Sequence, residues 1–405
     1  MTNDDRDYDV ARIRSHFPAL ADGAAHFDGP GGTQTPDVVA DAVRETLVAA
    51  ISNRGLVTRA EQRAETVVAQ CRAALADLLA ADPRAVVFGR SATQLTYDFS
   101  RALAKGWGPG DEVVVTRLDH DSNIRPWVQA AEAVGATVRW VDFDPTTGDQ
   151  DVEHFAPHIS ERTRLVAMTA AGNLIGTRPP VGQVARLAHD AGALLWVDGV
   201  HATAHDAVDI GELGADFWTC SPYKLMGPHC GVVAAAGPEL LESIHPDKLL
   251  PSTNEVPERF EFGTLAYELM AGTTAAVDFI ADLVPGEGTR RERILRSYAA
   301  LAKHEAHLLA RLEPVLRALP GVRVYSNAQQ RTPTLLFSID GIDSGDVYRA
   351  LARGGVNAPA SHFYAIECSR HLGLGDGGAV RVGLAPYTTE DDIDRLLEGV
   401  RALTG

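Results

Sequence analysis

Short, mainly apolar runs alternate with longer amphipathic stretches through the first two thirds of the chain. The strand-like runs lie at 85–88, 112–116, 137–141, 165–169, 193–197, 217–220 and 231–235. Between them, segments such as 122–134 and 181–191 repeat apolar residues at the spacing of a helix face. Strands that are apolar on both sides are typical of a sheet covered by helices on both faces. The pattern therefore predicts an α/β domain with a mostly parallel, seven-stranded sheet.

The pattern changes after residue 285. A long helical pattern at 290–319 is followed by strand-like runs at 322–325, 334–339 and 379–384 and by a last helix at 389–403. Thr389 is a favourable N-cap for that helix. We therefore predict a large domain at 26–285 and a smaller C-terminal α+β domain at 286–405. The remaining residues, 1–25, are predicted to form an N-terminal arm that packs with the small domain.

Charge and composition narrow the class of protein. The 405 residues include 37 Lys and Arg against 54 Asp and Glu, a net charge of −17, which argues against nucleic-acid and anionic-membrane partners. No apolar run reaches the roughly 18–20 residues that span a bilayer, and the acidic start MTNDDRDYDV is unlike a signal or transit peptide. We expect a cytoplasmic protein. The four cysteines lie far apart and predict neither disulfides nor a metal site.

Polar residues gather where the predicted strands end, which is where open α/β sheets bind ligands. They are His120, Asn173, Asp198, His201, Ser221, Lys224 and the helix start Ser91-Ala92-Thr93. A desolvated Lys224 can act as an amine nucleophile, and a buried Asp198 can keep a pyridine nitrogen protonated. A helix start can receive a phosphate. Together these functions describe a site for pyridoxal 5'-phosphate.

Several motifs carry a family resemblance. VDGVH at 197–201 is followed by CSPYKLMGPH at 220–229. Further matches are HFDGPGGTQTP at 26–36, FGRSATQLTYDFSRAL at 88–103, TRLDHDSNIRPW at 116–127, FEFGTL at 260–265, RTPT at 331–334, SHFYA at 361–365 and VRVGLAPYTTEDDIDRLL at 380–397. In this order they resemble the class V aminotransferase and cysteine desulfurase superfamily of fold-type I pyridoxal-phosphate enzymes. They are most similar to its cysteine desulfurase-like subfamily.

The resemblance implies roles for individual residues. Lys224 would form the Schiff base with the cofactor and move the substrate's α-proton, Asp198 would pair with the pyridinium, and His120 would stack on the ring. Arg381 would bind the substrate carboxylate. Further cofactor contacts are implied for Ala92, Thr93, Asn173, His201, Ser221, Tyr223, Gly263 and Thr264. Gly263 and Thr264 would reach the phosphate of a partner subunit, which implies a homodimer.

The chain also departs from the desulfurase pattern. Tyr223 stands where desulfurases have His, and His201 stands where they have Gln; His201 could act as an acid/base or hold the cofactor's phenolic oxygen. The 361–365 loop has no cysteine to accept sulfur, and Cys368 lies four residues beyond Tyr364.

The sequence leaves two interpretations open for each of three further residues. His362 and Tyr364 could contact the substrate or only pack against their neighbours. Arg54 could line the partner's active site or lie on a helix face exposed to solvent.

We therefore expect a C–S β-lyase, or cysteine desulfurase-like enzyme, that acts on a cysteine-type amino acid. The missing loop cysteine favours release of pyruvate and ammonia over persulfide transfer. The alternative is a class V aminotransferase that uses a 2-oxo acid, which a lyase does not need. A more remote alternative is a non-catalytic dimeric binding module.

Overall fold

A seven-stranded sheet forms the centre of the computed structural model, which describes residues 8–405. The first residues of the predicted N-terminal arm, 1–7, lie outside the described residues. The strands are β1 (Ala25–His26), β2 (Val86–Gly89), β3 (Glu112–Thr116), β4 (Thr137–Val141), β5 (Thr163–Thr169), β6 (Leu194–Asp198), β7 (Phe217–Cys220), β8 (Gly231–Ala235), β9 (Val322–Val324), β10 (Thr334–Ile339), β11 (Val356–Asn357), β12 (Ala360–Ser361) and β13 (Ala379–Gly383). The central sheet has the order β2-β8-β7-β6-β5-β3-β4.

Most neighbours in this sheet are parallel. The pairs β4–β3, β3–β5, β5–β6 and β6–β7 run parallel, whereas β7–β8 and β8–β2 are antiparallel. Each parallel pair needs a crossover, and helices supply the crossovers on both faces. The predicted α/β class with a mostly parallel sheet is therefore confirmed.

The helices account for the two-sided burial of the strands. They are α1 (Val10–Ser15), α2 (Asp37–Val48), α3 (Arg59–Leu79), α4 (Ala92–Ala104), α5 (Arg125–Val134), α6 (Val152–Phe155), α7 (Val181–Asp190), α8 (Ile210–Leu213), α9 (Pro238–Glu242), α10 (Tyr267–Ala281), α11 (Arg290–Ala318), α12 (Ser344–Arg353), α13 (Ile366–His371) and α14 (Glu390–Thr404). The helix predicted at 122–134 begins only at Arg125, because Asp121–Asn123 forms a separate 3-10 turn.

Alternate residues of each strand enter different cores. In β5, Val166 and Met168 pack with α3, α7 and α10, whereas Leu165 and Ala167 pack with α4 and α5 on the other face. Successive side chains of a strand point to opposite faces, so a run that is covered twice must be apolar throughout. This is the physical reason for the uninterrupted apolar runs in the sequence.

A second, antiparallel sheet has the order β12-β13-β10-β9 and lies against α11, α12 and α14. Three of its strands match predicted runs, but the two-residue β12 was not predicted. Ala25 and His26 of β1 pair in parallel with Val356 and Asn357 of β11. The predicted boundary near 285 falls between α10 and α11; the division into domains stays a prediction.

No helix among residues 8–405 is both long and apolar enough to cross a membrane.

Candidate active site

The strand ends of the central sheet bring the predicted residues to one cleft. Asp198 is the last residue of β6, and Ser221 follows β7 directly. The 3-10 turn Pro222–Lys224 then places Lys224 beneath the same edge. His120 and Asn173 follow β3 and β5, and they line the inner cleft together with Asp198, Ser221 and Lys224.

Lys224 carries a buried amine. Burial is the main reason that its pKa falls from the usual 10.5 to about 8; the positive charge of Arg381 lowers it further, and Asp198 acts in the opposite direction. Removal from water disfavours the charged form of an amine. The neutral amine, which is the form that attacks a carbonyl carbon, is therefore far more abundant near physiological pH than in an ordinary lysine.

Asp198 is buried, and its carboxylate accepts a backbone hydrogen bond from Val200 N at 2.9 Å. Burial raises the pKa of its carboxyl group, while the Val200 N–H and the charge of Lys224 oppose that shift. A buried carboxylate is costly without a cationic or hydrogen-bonded partner. Asp198 thus suits a ligand that presents a positively charged N–H at the end of β6.

The start of α4 offers hydrogen-bond donors to the same cleft. Ser91 is the N-cap, and its hydroxyl accepts from Gln94 N at 3.1 Å. The N–H groups of Ala92 and Thr93 lie in the first turn, where a helix has no internal acceptors for them. Ser91, Ala92, Thr93 and Ser221 line the inner cleft together. This arrangement fits a phosphate group.

His120 presents a neutral ring. Its Nδ1 accepts from Ser122 N at 3.1 Å and lies 2.7 Å from Ser122 Oγ. Burial, followed by the charges of Lys224 and Arg381, lowers its pKa to about 3. The ring of Tyr364 stacks near it, with centroids 5.5 Å apart. A neutral, flat ring held in place by Ser122 is suited to stacking on an aromatic ligand.

His201 is also buried and neutral, since burial holds its pKa well below the usual value. Its Nε2 lies 2.9 Å from Thr332 Oγ1 and 3.0 Å from Thr334 Oγ1. His205, which could be read as its metal-binding partner, instead bonds Glu305 at 2.8 Å. The two histidines thus serve separate hydrogen bonds.

Tyr223 stacks on His229, with ring centroids 4.8 Å apart, and lines both the inner cleft and the larger cavity beside it. Its phenol ring lies close to Gly32, where an added Cβ would come within 3.2 Å of Tyr223 Cδ2. A glycine at 32 therefore lets the N-terminal segment approach this side of the site.

Arg381 and Asn173 hold polar atoms that no described residue satisfies. Arg381 Nη1 donates to Asn173 O at 2.9 Å, and the ring of Phe363 covers the guanidinium at 3.7 Å. Asn173 Nδ2 donates to Phe363 O at 3.0 Å. Arg381 Nε and Asn173 Oδ1 are buried without a partner among residues 8–405. Since buried polar groups are almost always hydrogen-bonded, these two atoms indicate a ligand site.

Burial has a further effect on Arg381: it lowers the pKa of the guanidinium to about 9, although Asp28 and Tyr223 oppose the shift. A carboxylate that bonds the open edge of the guanidinium would offset the cost of burying that charge.

A cavity of about 670 Å³ opens above the inner cleft. The predicted residues on its wall are Thr93, His120, Asn173, Tyr223, Lys224, Tyr364 and Arg381. The wall also includes residues for which the sequence predicted no role, among them Tyr97, Ser122, Arg125 and Phe363. Tyr97 lies one helical turn after Thr93 on α4, a spacing that could have indicated it.

Some predicted residues lie elsewhere in this chain. Arg54 is bound by Glu65 and Glu258, each at 2.7 Å, and does not line the cavity. Thr264 lines a separate cavity of about 540 Å³ with His229. His362 is not on the cavity wall, and its Nδ1 accepts from Tyr364 N at 3.1 Å.

The cysteines do not reach the site. Cys368 lies in α13 and is buried with Leu118, Phe143 and Leu174 in an apolar cluster. Burial raises its pKa well above the usual value, so its thiol stays protonated. Cys71, Cys220 and Cys230 are buried as well.

Known proteins resemble this chain over nearly its whole length. Residues 25–396 match the protein-family model described as Aminotransferase class-V. An uncharacterized protein of Mycobacterium tuberculosis is 33% identical, with 98% of this chain and 99% of that protein covered. A probable cysteine desulfurase of Pseudomonas aeruginosa is 31% identical, with coverages of 94% and 95%.

A solved structure agrees with the sequence relatives. The cysteine desulfurase CsdA of Escherichia coli superposes with a TM-score of 0.85 at 27% identity and covers 98% of both chains. The expected fold-type I architecture and superfamily are thereby confirmed. The protein described here belongs to the class-V aminotransferase family.

Proposed function

We propose that this protein is a pyridoxal-phosphate-dependent lyase that cleaves the C–S bond of a cysteine-type amino acid and releases pyruvate and ammonia. One observation carries the proposal. A single cavity holds the buried amine of Lys224 and the unsatisfied edge of Arg381, while every cysteine of the described chain is buried away from it.

The residues of the inner cleft fit pyridoxal phosphate. The carboxylate of Asp198 accepts a hydrogen bond from Val200 N and suits the ring N–H, and the start of α4 with Ser221 suits the phosphate. The buried Oδ1 of Asn173 lacks a partner on the same wall. His120 would stack on the ring, and His201 and Tyr223 would border it.

The protein's own groups supply binding and proton transfer. The bound cofactor supplies an electron sink for the charge that develops at the substrate's Cα. Arg381 binds the substrate carboxylate, and the neutral amine of Lys224 removes the α-proton. Asp198 holds the proton on the ring nitrogen that makes the sink effective. Departure of the β-sulfur then requires no thiol on the protein.

The absence of a reachable cysteine distinguishes a lyase from a persulfide-forming desulfurase. The relatives named cysteine desulfurases support cysteine chemistry in this family. Sulfur transfer to the protein needs a thiolate at the site, but Cys368, the cysteine that follows the 361–365 loop, is buried in an apolar cluster and protonated. The expected products are therefore a thiol and pyruvate.

An aminotransferase is the second candidate, because the matching family model carries that description. It would use the same Lys224 and Arg381 but would return a proton to the cofactor carbon. The remote alternative is a non-catalytic binding module. It would not explain why the amine of Lys224 is buried beside Asp198.

We further propose a homodimer in which Gly263 and Thr264 reach the partner's phosphate site. Exposed apolar side chains on two chain segments support it: Leu47, Val48, Leu56 and Val57 on the first, and Leu249, Leu250 and Phe262 on the second. The ion pair between Arg54 and Glu258 brings these two segments, which we call the apolar patch, into contact. Arg54 is thus better explained as a support of this surface than as a substrate ligand.

The function is tested by replacing Lys224. In Lys224→Ala we expect turnover of a cysteine substrate, measured as pyruvate, to fall by about 10²–10⁴ or more because the proton-transfer group is lost. Lys303→Ala, which changes an exposed lysine on α11, is the matched control and should retain wild-type turnover. Full pyruvate formation by Lys224→Ala would refute the proposal.

The same assay separates the two candidate reactions. A lyase forms pyruvate without added 2-oxo acid, and the amount keeps rising beyond one equivalent per active site. An aminotransferase stops after one half-reaction unless a 2-oxo acid is supplied. Dependence on a 2-oxo acid would therefore favour the aminotransferase.

A further inference from the structure

The loop at 361–365 holds two aromatic residues in a backbone conformation that side chains disfavour. Phe363 has φ +47° and Tyr364 has φ +59°, consecutive residues in the left-handed region. Glycine adopts such angles without steric cost, whereas an L side chain is strained there. The chain nevertheless has Phe and Tyr. Strain that persists beside a ligand site indicates that the side chains have a function.

The surroundings hold this loop in place. Asp121 N donates to Tyr364 O at 2.7 Å, and Asn173 Nδ2 donates to Phe363 O. Gly378 packs directly against the loop, since a Cβ there would lie 2.1 Å from the backbone carbon of Ser361. The backbone hydrogen bonds therefore fix the positions of both side chains. Phe363 lies on the guanidinium of Arg381, and Tyr364 lies at the wall of the large cavity.

Tyr364 has an open face. Its side chain is 70% exposed although it lines the cavity and stacks near His120. Tyr97 and Ser122 line the same chamber. Ligand cavities commonly measure roughly 300–1,000 Å³, and the 670 Å³ of this cavity lies within that range.

Apart from Lys224 and Arg381, the charged side chains of this chamber are paired within the protein. Arg125 bonds Asp121 at 2.8 Å and Glu367 at 2.6 Å, so its guanidinium is already neutralised. Glu367 also pairs with Arg117. Away from Lys224 and Arg381, the chamber therefore offers aromatic surface and hydroxyl groups rather than an uncompensated charge.

We infer that the substrate is an S-conjugate of cysteine whose sulfur carries a neutral, ring-containing substituent, and that Tyr364 is the residue that selects it by packing on that ring. This inference rests on the proposed lyase function. Arg381 holds the carboxylate at one end of the cavity, and the substituent extends from the β-sulfur toward Tyr364 and Tyr97. Aromatic contact of this kind stabilises binding beyond the area it buries.

The reaction balances with water as the sole co-reactant. The Cα–H bond breaks and the proton passes to Lys224 Nζ. The Cβ–S bond breaks next, and its electron pair leaves with sulfur, which takes up a proton as the free thiol. The three-carbon enamine that remains adds one water and gives pyruvate and ammonium. No external oxidant or reductant is required.

Selectivity is measured on the holoenzyme with L-cysteine, S-methyl-L-cysteine and S-benzyl-L-cysteine as probes. We expect kcat/KM for S-benzyl-L-cysteine to exceed that for S-methyl-L-cysteine at least about tenfold. Tyr364→Ala should remove most of this ratio, whereas Tyr364→Phe, which keeps the ring, should preserve it. Tyr348→Ala, a partly exposed tyrosine on α12, is the matched control and should also preserve it.

Two further readouts do not depend on turnover. In Lys224→Ala, calorimetric titration should give tighter binding of S-benzyl- than of S-methyl-L-cysteine, and adding Tyr364→Ala should equalise them. Tyr364→Gly relieves the strained φ, so its thermal midpoint should not fall even though the ring preference is lost. A lower midpoint together with an unchanged substrate ratio would mean that Tyr364 only supports the loop, and would overturn the inference.

Failure of this inference differs from failure of the proposed function. If S-methyl-L-cysteine is turned over as well as S-benzyl-L-cysteine, the substrate class is wrong and the lyase stands. If no amino acid of the panel exchanges its α-hydrogen in D₂O and none yields pyruvate, the proposed function fails, and this inference with it.

Discussion

At the scale of single residues, the protonation of Lys224 links burial to reactivity. Its pKa of about 8 arises mainly from burial and then from the charge of Arg381. At pH 7 about one such amine in ten is neutral, compared with about one in three thousand for an ordinary lysine. The neutral fraction limits how fast the amine can attack the cofactor aldehyde.

We therefore predict that uptake of pyridoxal phosphate by cofactor-free protein accelerates with pH. Only the neutral amine reacts, so the rate should rise through pH 8 and level off above it. Stopped-flow absorbance gives the rate across pH 6 to 10. In Arg381→Leu the midpoint should move to higher pH, because a cation that lowers the pKa of Lys224 is removed. A wild-type midpoint near that of ordinary lysine would contradict this account.

Residues of the site differ in how far a sequence can predict them. Lys224 and Asp198 follow strands whose ends must meet, so topology alone brings them together. Phe363 and Tyr97 were missed for different reasons. Phe363 reaches Arg381 only because its backbone has a positive φ, which no residue type at 361–365 signals. Tyr97 lies within α4, and only the register of that helix against the cavity shows that its side chain faces the site.

At the scale of elements, the position of α4 depends on the strand behind it. Gly231 begins β8 and pairs with Gly89 of β2, and a Cβ at Gly231 would lie 2.2 Å from the carbonyl carbon of Ser91 and 2.3 Å from Ala92 N. These are backbone atoms, so the helix start itself would have to move. The phosphate donors of Ala92 and Thr93 would move with it.

Gly231→Ala is therefore expected to weaken both stability and cofactor binding. Overpacking of this kind costs about 1–3 kcal/mol of unfolding free energy. Chemical denaturation and the dissociation constant for pyridoxal phosphate measure the two effects. Gly108→Ala is the control, because nothing lies within 4 Å of an added Cβ there, and it should change neither quantity. A variant with unaltered cofactor affinity would show that α4 tolerates the shift.

The apolar runs of the sequence predict the strands of the central sheet, but they do not predict the shortest strands of the structure. Strands β1, β11 and β12 have two residues each, too few for a period to be read. They exist because distant segments meet: His26 pairs with Asn357, and Ala360 pairs with Val380. Such pairings depend on the finished tertiary structure rather than on local preference.

At the scale of the whole molecule, the acidic surface and the apolar patch have opposite effects on association between copies of the chain. A net charge of −17 keeps like molecules apart over most of the surface. The patch is different, because Val57 is 88% and Leu250 is 98% exposed. Large apolar side chains concentrated in one region usually mark an interface. A symmetric contact between two copies would cover both segments of the patch at once.

We predict that the wild-type protein has a solution mass close to twice 43.3 kDa and that Val57→Asp combined with Leu250→Asp reduces it to one chain. Two buried carboxylates would cost more than the contact gains. Light scattering after size exclusion gives the mass. Leu295→Asp, an exposed leucine on α11 outside the patch, should leave the dimer intact. Because Gly263 and Thr264 are proposed to complete the partner's phosphate site, the monomer should also bind pyridoxal phosphate more weakly. A monomer with full cofactor affinity would mean that each chain holds its cofactor without its partner.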